Sequence, residues 1–267
     1  MKIAVTGKGG VGKTTLAAVL ARLYAEEGRR VLAADADPDA NLGLALGFSE
    51  EELEKLKPIS EMSSLIAERT GSGAENFGKL FKLNPKVDDI PDRFSIEKNG
   101  VKLLIMGTVE TGGSGCVCPE HVLLKRVVSN LIISRNEVVI LDMEAGLEHL
   151  GRGTTDFVDR FIVVIEPGAR SIQTYKKVKQ LAADIGVSRI SVVANKVRTG
   201  QDRDFLSGSI PSDELIGFIS YSEDVIASDR KGCSPYDTGG MAIDDIRKIK
   251  IQIDSETERN GQVDGLV

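Results

Sequence analysis

Gly7-Lys8-Gly9-Gly10-Val11-Gly12-Lys13-Thr14-Thr15 stands between an apolar run, Ile3-Ala4-Val5, and a stretch in which Leu16, Val19, Leu20 and Leu23 recur at the spacing of one helical face. A chain that begins this way must turn a strand into a helix through a glycine loop. Glycines at 7, 9, 10 and 12 permit positive φ and close backbone approach. Successive amide N–H groups from Gly9 to Thr15 can therefore converge on a phosphate at the helix N-terminus. Lys13 is placed to neutralise β and γ oxygens, and the Thr14 hydroxyl to ligate Mg²⁺. The pattern implies ATP and ADP as ligands, with Mg²⁺, and hydrolysis of ATP to ADP and phosphate.

Lys8 follows the first glycine, where an ordinary phosphate loop has no special demand for a cation. A solvated surface lysine is the plain alternative. The stretch resembles the deviant Walker A ATPases of the MinD/ParA and nitrogenase-iron-protein type. That resemblance implies a homodimer in which Lys8 crosses the interface to the partner's nucleotide.

Further along, strand-like runs alternate with helical ones. Val31–Ala34, Lys102–Met106, Glu137–Leu141, Arg160–Ile165, Arg189–Ala194 and Leu215–Ile219 read as strands. Val122, Leu123, Val127, Val128 and Leu131 share a helical face, as do Ile172, Tyr175, Val178, Leu181 and Ala182. Such alternation predicts an α/β fold: a mostly parallel central sheet with helices on both faces and ligands at its carboxyl edge. With 267 residues and 41% apolar content, the expectation is a single domain over 1–267. Residues 49–100 are polar and turn-rich and read as an excursion of short helices rather than core. The polar tail after Ile253 is expected to fray.

The same composition narrows the partners. A net charge of −6, with 8 Phe, 4 Tyr and no Trp, disfavours nucleic acid. No apolar run approaches the ~20 residues of a membrane span, and the tail lacks a basic amphipathic helix. No membrane partner and a cytoplasmic address are expected, since the start of the chain belongs to the phosphate loop rather than to a signal peptide.

The remaining ATPase parts fall at strand ends. Asp35-Ala36-Asp37-Pro38 follows a strand and resembles the family's first switch, with Asp37 matching the water-orienting carboxylate. Asp35 reads as structural or as an outer neighbour of Mg²⁺. Val138-Val139-Ile140-Leu141-Asp142 is an apolar strand ending in a carboxylate able to hold a Mg²⁺-bound water. Gly146 follows as a candidate sensor of the γ-phosphate. Asn195 ends a later strand, where its amide can pair with adenine; a turn-forming asparagine is the alternative. Pro211 and Ser220–Glu223 are expected to close over the base.

Cys116-Val117-Cys118-Pro119 is the most distinctive segment. In an extended stretch, residues i and i+2 project to one face, so both thiols can meet one ion. Pro119 suits the first position of a helix, whose N-terminus favours thiolate at Cys118. Two thiolates do not complete a tetrahedral site, whereas a symmetric dimer presenting the pair twice supplies four. A strained redox disulfide and plain loop cysteines remain open alternatives.

The surrounding residues narrow the field. Gly115-Cys116-Val117-Cys118-Pro119-Glu120-His121, Asp142–Gly153, Glu68-Arg69-Thr70-Gly71 and Leu83-Asn84-Pro85-Lys86-Val87 resemble the CooC family of nickel carbon monoxide dehydrogenase maturation ATPases. The resemblance implies an ATP-dependent homodimer whose Cys116 and Cys118 hold Ni²⁺, or Zn²⁺ in its place. It also implies carbon monoxide dehydrogenase as client, with Lys8, Lys13 and Asp37 carrying the nucleotide chemistry. Glu148 and His149 stand in the switch segment as residues that pass or sense metal, or as ordinary hydrogen-bonded switch residues. Cys233 has no sequence partner and reads as incidental. Two rival readings are an iron–sulfur electron donor of the nitrogenase-iron-protein type, which needs cysteines on separate loops, and a positioning ATPase of the MinD/ParA type riding on DNA or membrane.

Overall fold

The computed structural model describes residues 1–72, 81–107, 118–133, 135–144, 158–187 and 189–263, with side chains through 257. In chain order the elements begin β1 (Lys2–Gly7), α1 (Lys13–Glu26), β2 (Val31–Ala36), α2 (Leu42–Ala45), α3 (Glu50–Leu53), a tight helical turn (Ile59–Glu61), α4 (Ser63–Thr70) and α5 (Ile90–Phe94). Next come β3 (Ile96–Lys98), β4 (Val101–Ile105), α6 (Pro119–Ile133), β5 (Val138–Met143), β6 (Arg160–Ile165), α7 (Ala169–Ile185) and β7 (Ile190–Val197). The chain continues through α8 (Gly200–Ser209), β8 (Leu215–Ser220), α9 (Glu223–Arg230), α10 (Pro235–Thr238) and α11 (Met241–Val263).

One eight-stranded sheet, in the order β3-β4-β2-β5-β1-β6-β7-β8, carries these helices. Every pairing is parallel except that of β3 with β4. Strand alternation splits the core into two layers. Ile3 and Val5 of β1 join the layer under α1 and α11, while Ala4 between them joins the layer under α6 and α7. The α/β expectation holds, with small shifts: β4 starts one residue earlier than predicted, and β3 is an antiparallel addition whose three residues are too few to show periodicity.

Two expectations are corrected. The excursion at 49–100 does consist largely of short helices, but it is not separate from the core. Ile59, Leu65, Ile66, Val87 and Ile90 are buried within the layer under α6. Arg69 of α4 fixes the excursion by a bidentate bond to Asp89 at 2.9 and 2.7 Å.

The tail does not fray after Ile253. α11 runs unbroken to Val263, with Ile243, Ile246, Ile249 and Ile253 forming the buried stripe that seats it on the sheet. Its polar residues serve buried charges. Lys250, with 5% of its side chain exposed, donates to Glu27 at 2.6 Å and to Asp254 at 2.7 Å. Tyr24 of α1 donates to Asp254 at 2.9 Å, and burial pushes that hydroxyl's pKa far above its ordinary value. The buried Arg160 at the start of β6 meets Glu256 at 2.7 Å. The residues that read as solvated tail thus serve Arg160 and Tyr24 from distant parts of the chain and Lys250 from one turn back in the same helix.

Deleting residues 254–267 should therefore destabilise the protein by about 2–4 kcal/mol, because Arg160 and Lys250 lose partners while staying buried. Thermal unfolding checks this. An unchanged Tm would restore the frayed-tail reading.

Candidate active site

Because the long strands are parallel, their carboxyl ends share one edge, and residues far apart in sequence meet there. β1 delivers Gly7, β2 delivers Asp35 and the loop to Asp37, β5 delivers Asp142, and β7 delivers Asn195. Asp35 and Asp142 are register partners on adjacent strands, and Asp142 pairs on its other side with Val5 of β1.

The loop between β1 and α1 enters the helix through Gly12, at φ 97°. A side chain there is excluded twice: by the left-handed backbone, and by Asn195 Nδ2, which would lie 2.1 Å from a Cβ. Gly7 and Gly10 also take positive φ, whereas Gly9 does not. Val11 is buried, and Gly9, Gly10, Gly12, Lys13, Thr14 and Thr15 line a cavity of about 550 Å³. Lys13 points its ammonium at Asp37, 3.4 Å away, with only 6% of its side chain exposed.

Asp35 organises the loop after β2. Its carboxylate accepts the N–H groups of Asp37 at 3.1 Å and Leu42 at 2.9 Å. Burial, reinforced by Asp142 beside it, pushes Asp35 up to about 7. Asp142 is fully buried, and among the described residues neither carboxylate oxygen has a hydrogen-bond partner. Burial pushes it up to about 6, with the nearby Thr14 hydroxyl and Lys13 ammonium opposing the rise. An orphaned buried carboxylate beside a hydroxyl is the donor set a hard divalent cation requires, so these residues fit Mg²⁺. Thr14 and Asp142 would hold the ion, directly or through its waters, and it would neutralise charge on the phosphates.

Away from the phosphate loop, the cavity becomes more apolar. Ile219, Tyr221, Val225, Ala242 and Ile246 line it, together with Ser220 and Ser222. Of the expected segment Ser220–Glu223, Ser220, Tyr221 and Ser222 line the cavity, whereas Glu223 and Pro211 do not. The Pro211 carbonyl accepts from Glu214 and Leu215 at the amino end of β8, on the opposite edge of the sheet. Cys233 also lines the cavity, its thiol donating to the Ser228 carbonyl at 3.5 Å, so it is not remote from the site. The sequence held no signal for that, since α9 and α10 bring it there.

Asn195 reaches the cleft wall, but its amide is turned onto the backbone. Nδ2 donates to the Val11 carbonyl at 2.7 Å, and Oδ1 accepts from Lys196 N–H at 2.8 Å. Lys8 is exposed and makes no ion pair among the described residues. Cys118 is half-buried immediately before α6, and its carbonyl accepts from Val122 to open the helix. Cys116, Gly146, Glu148 and His149 lie outside the described residues. Among the described residues, no group of three or more His, Cys, Asp or Glu is arranged to hold a metal. No described helix is long and apolar enough to cross a membrane.

The family model for the CobQ/CobB/MinD/ParA nucleotide binding domain matches residues 2–235. The chain is also 50% identical over 237 residues to the carbon monoxide dehydrogenase accessory protein CooC of Rhodospirillum rubrum, covering 89% of this chain and 90% of that one. The chain is a CooC-type ATPase of the CobQ/CobB/MinD/ParA family. An uncharacterized ATP-binding protein of Methanocaldococcus jannaschii is 46% identical to this ATPase over 252 residues, covering 93% of this chain and 96% of that protein. Among solved structures, a ParA family ATPase from Chlorobium tepidum superposes with TM-score 0.67 at 19% identity, covering 94% and 97% of the two chains. MinD from Pyrococcus horikoshii, complexed with Mg-ADP, gives 0.63 at 20% identity, covering 95% and 96%. At those identities the likeness is one of fold.

Two measurements follow for this ATPase. Lys13→Ala should abolish ATP turnover, and undiminished turnover would reject the phosphate-loop assignment. The two raised carboxyls set a pH dependence. Asp142 ordinarily titrates at 3.8 and sits at about 6 in the fold, so its neutral form stabilises the fold at low pH and that contribution is lost as pH rises through about 6. Thermal stability in chelator without nucleotide should therefore fall from about pH 4, where the unfolded carboxyls ionise, to about pH 7, where both folded ones have done so. Asp142→Asn should flatten the fall by on the order of 2 kcal/mol, and an identical slope in the variant would remove Asp142 as its source.

Proposed function

We propose that this ATPase is a dimeric maturation factor that carries nickel, or zinc in its place, on paired Cys116 and Cys118 and serves nickel carbon monoxide dehydrogenase. The observation carrying this reading is the 50% identity, across nearly the full length of both chains, to a protein named for accessory function toward that enzyme. The Cys-x-Cys segment supports it independently, because two thiolates per subunit suit an ion shared by two copies.

In the proposed cycle, ATP enters with its phosphates on the loop and exchanges the Lys13–Asp37 ion pair for Lys13–phosphate contact. Asp37, released from Lys13, orients the attacking water; positioning and charge neutralisation supply most of what phosphoryl transfer needs. Lys8, exposed and without an ion pair among the described residues, reaches across to the partner's nucleotide. Closing the dimer brings the four thiolates together, and hydrolysis relaxes it so that the ion can leave. Asn195 reads the adenine only if its amide leaves the Val11 carbonyl.

Likeness to MinD and ParA structures does not favour a positioning role, because that likeness is of fold and a net charge of −6 disfavours a large surface for DNA or an anionic membrane.

Metal stoichiometry, measured with ADP and with ATP alongside oligomeric mass, tests the proposal. About one ion per two chains is expected, in the dimer. Changing both Cys116 and Cys118 to alanine should abolish tight metal binding while leaving nucleotide binding by the monomer intact. Full-strength nickel or zinc binding by a monomer, or by the double variant, would sink it.

A further inference from the structure

A loop that turns its amide N–H groups toward a phosphate turns its carbonyls outward, and each outward carbonyl needs a donor of its own. Two of those donors come from the end of β7. Asn195 Nδ2 reaches the Val11 carbonyl at 2.7 Å, and Lys196 Nζ reaches the Gly10 carbonyl at 2.6 Å. The peptide unit is planar, so fixing the Gly10 carbonyl also fixes the direction of the Val11 N–H. That N–H has only a long bond of 3.3 Å, to the Lys8 carbonyl.

Lys196 is held for this contact at a cost. Its φ is 59°, one of two non-glycine residues with positive φ among the described residues. Asn195 Oδ1 accepts the Lys196 N–H at 2.8 Å, and the β7–β8 register shifts between Ala194 and Val197 to accommodate the turn. Glu166, just past β6, meets the ammonium at 3.3 Å and sets its path, while its own N–H donates to Ser171. Strain that persists at a cleft wall, braced by a side chain and a strand irregularity, points to a function.

We propose that Lys196 is a positioning residue for ATP. Acting from the cleft wall through the Gly10 carbonyl, it holds the phosphate loop in its binding shape, so less ordering is left for binding to accomplish. The competing account is an ordinary half-exposed Lys–Glu pair, which contributes little and has no bearing on the nucleotide.

Lys196→Gly separates the two. It removes the ammonium while relieving the left-handed strain, so the Tm should stay at or above that of the unaltered protein. The Kd for Mg-ADP should nonetheless rise about tenfold to hundredfold, the range expected for losing a hydrogen bond from a charged donor. The KM for ATP should rise with it while kcat changes far less, because the loss falls equally on ground and transition states. Lys196→Met keeps the backbone demand and the stem length and should show the same loss, and Lys196→Arg should recover part of it. If Lys196→Gly does not fold, Lys196→Met carries the comparison. Mg-ADP affinity within twofold of the unaltered protein in either variant, or a loss confined to kcat, overturns the proposal.

Discussion

Asp35 and Asp142 stand side by side at the ends of adjacent strands, both buried, and among the described residues nothing is hydrogen-bonded to the Asp142 carboxylate. Burying one carboxylate is costly, and burying a second against it is more so. A fold keeps such an arrangement where a cation is to be received. The phosphate loop supplies the complementary half: Lys13 is already beside Asp37, and the amides of the loop await an anion. Mg²⁺ with a nucleotide satisfies both halves together, which neither could do alone. The parallel sheet is what makes this possible, since only parallel strands bring the ends of β1, β2, β5 and β7 to one edge.

The parts of this site readable in the sequence are those whose local context is complete. Ile3 to Leu23 contain a strand, a glycine loop and an amphipathic helix in succession, and the structure repeats that order. Asp142 is readable because four consecutive apolar residues, Val138 to Leu141, end in a carboxylate. What escaped notice depends on contacts across long separations. Asp254 and Glu256 look like solvent-facing residues until Tyr24, Lys250 and Arg160 are placed against them. The apolar residues of the excursion are spaced too irregularly to show a face, yet Ile59 and Ile90 are fully buried. Asn195 lines the cleft, but its bond to Val11 joins residues 184 positions apart, beyond what periodicity can report.

One helix links the tail to the site. α1 begins at the phosphate loop and ends at Glu26, and its Tyr24 shares Asp254 with Lys250. α11 in turn lines the cavity through Ala242 and Ile246 near its start and holds that Tyr24 network near its end. The base end of the cleft and the far end of the phosphate-loop helix are therefore braced by the same element. A rigid brace of this kind suits a site that must present a fixed array of amides, because the nucleotide then meets a loop already ordered.

The cysteine segment is tied to the same edge by topology. α6 connects the parallel strands β4 and β5, so it runs against them, and its first turn stands at their carboxyl edge. Cys118 precedes that turn directly, and the buried face formed by Leu123, Leu124, Val127 and Val128 seats the helix on the sheet. The strand that follows α6 ends at Asp142. A thiol at the start of the helix and a carboxylate at the end of the next strand thus share one side of the molecule, although 23 residues lie between them. Under the proposed function, a change in nucleotide at that edge needs no relay through the core to reach the thiols. β4 and β5, which precede the segments carrying Cys116 and the switch, end at the same rim of the sheet, and under the proposed function a second subunit facing that rim meets nucleotide and thiolates together.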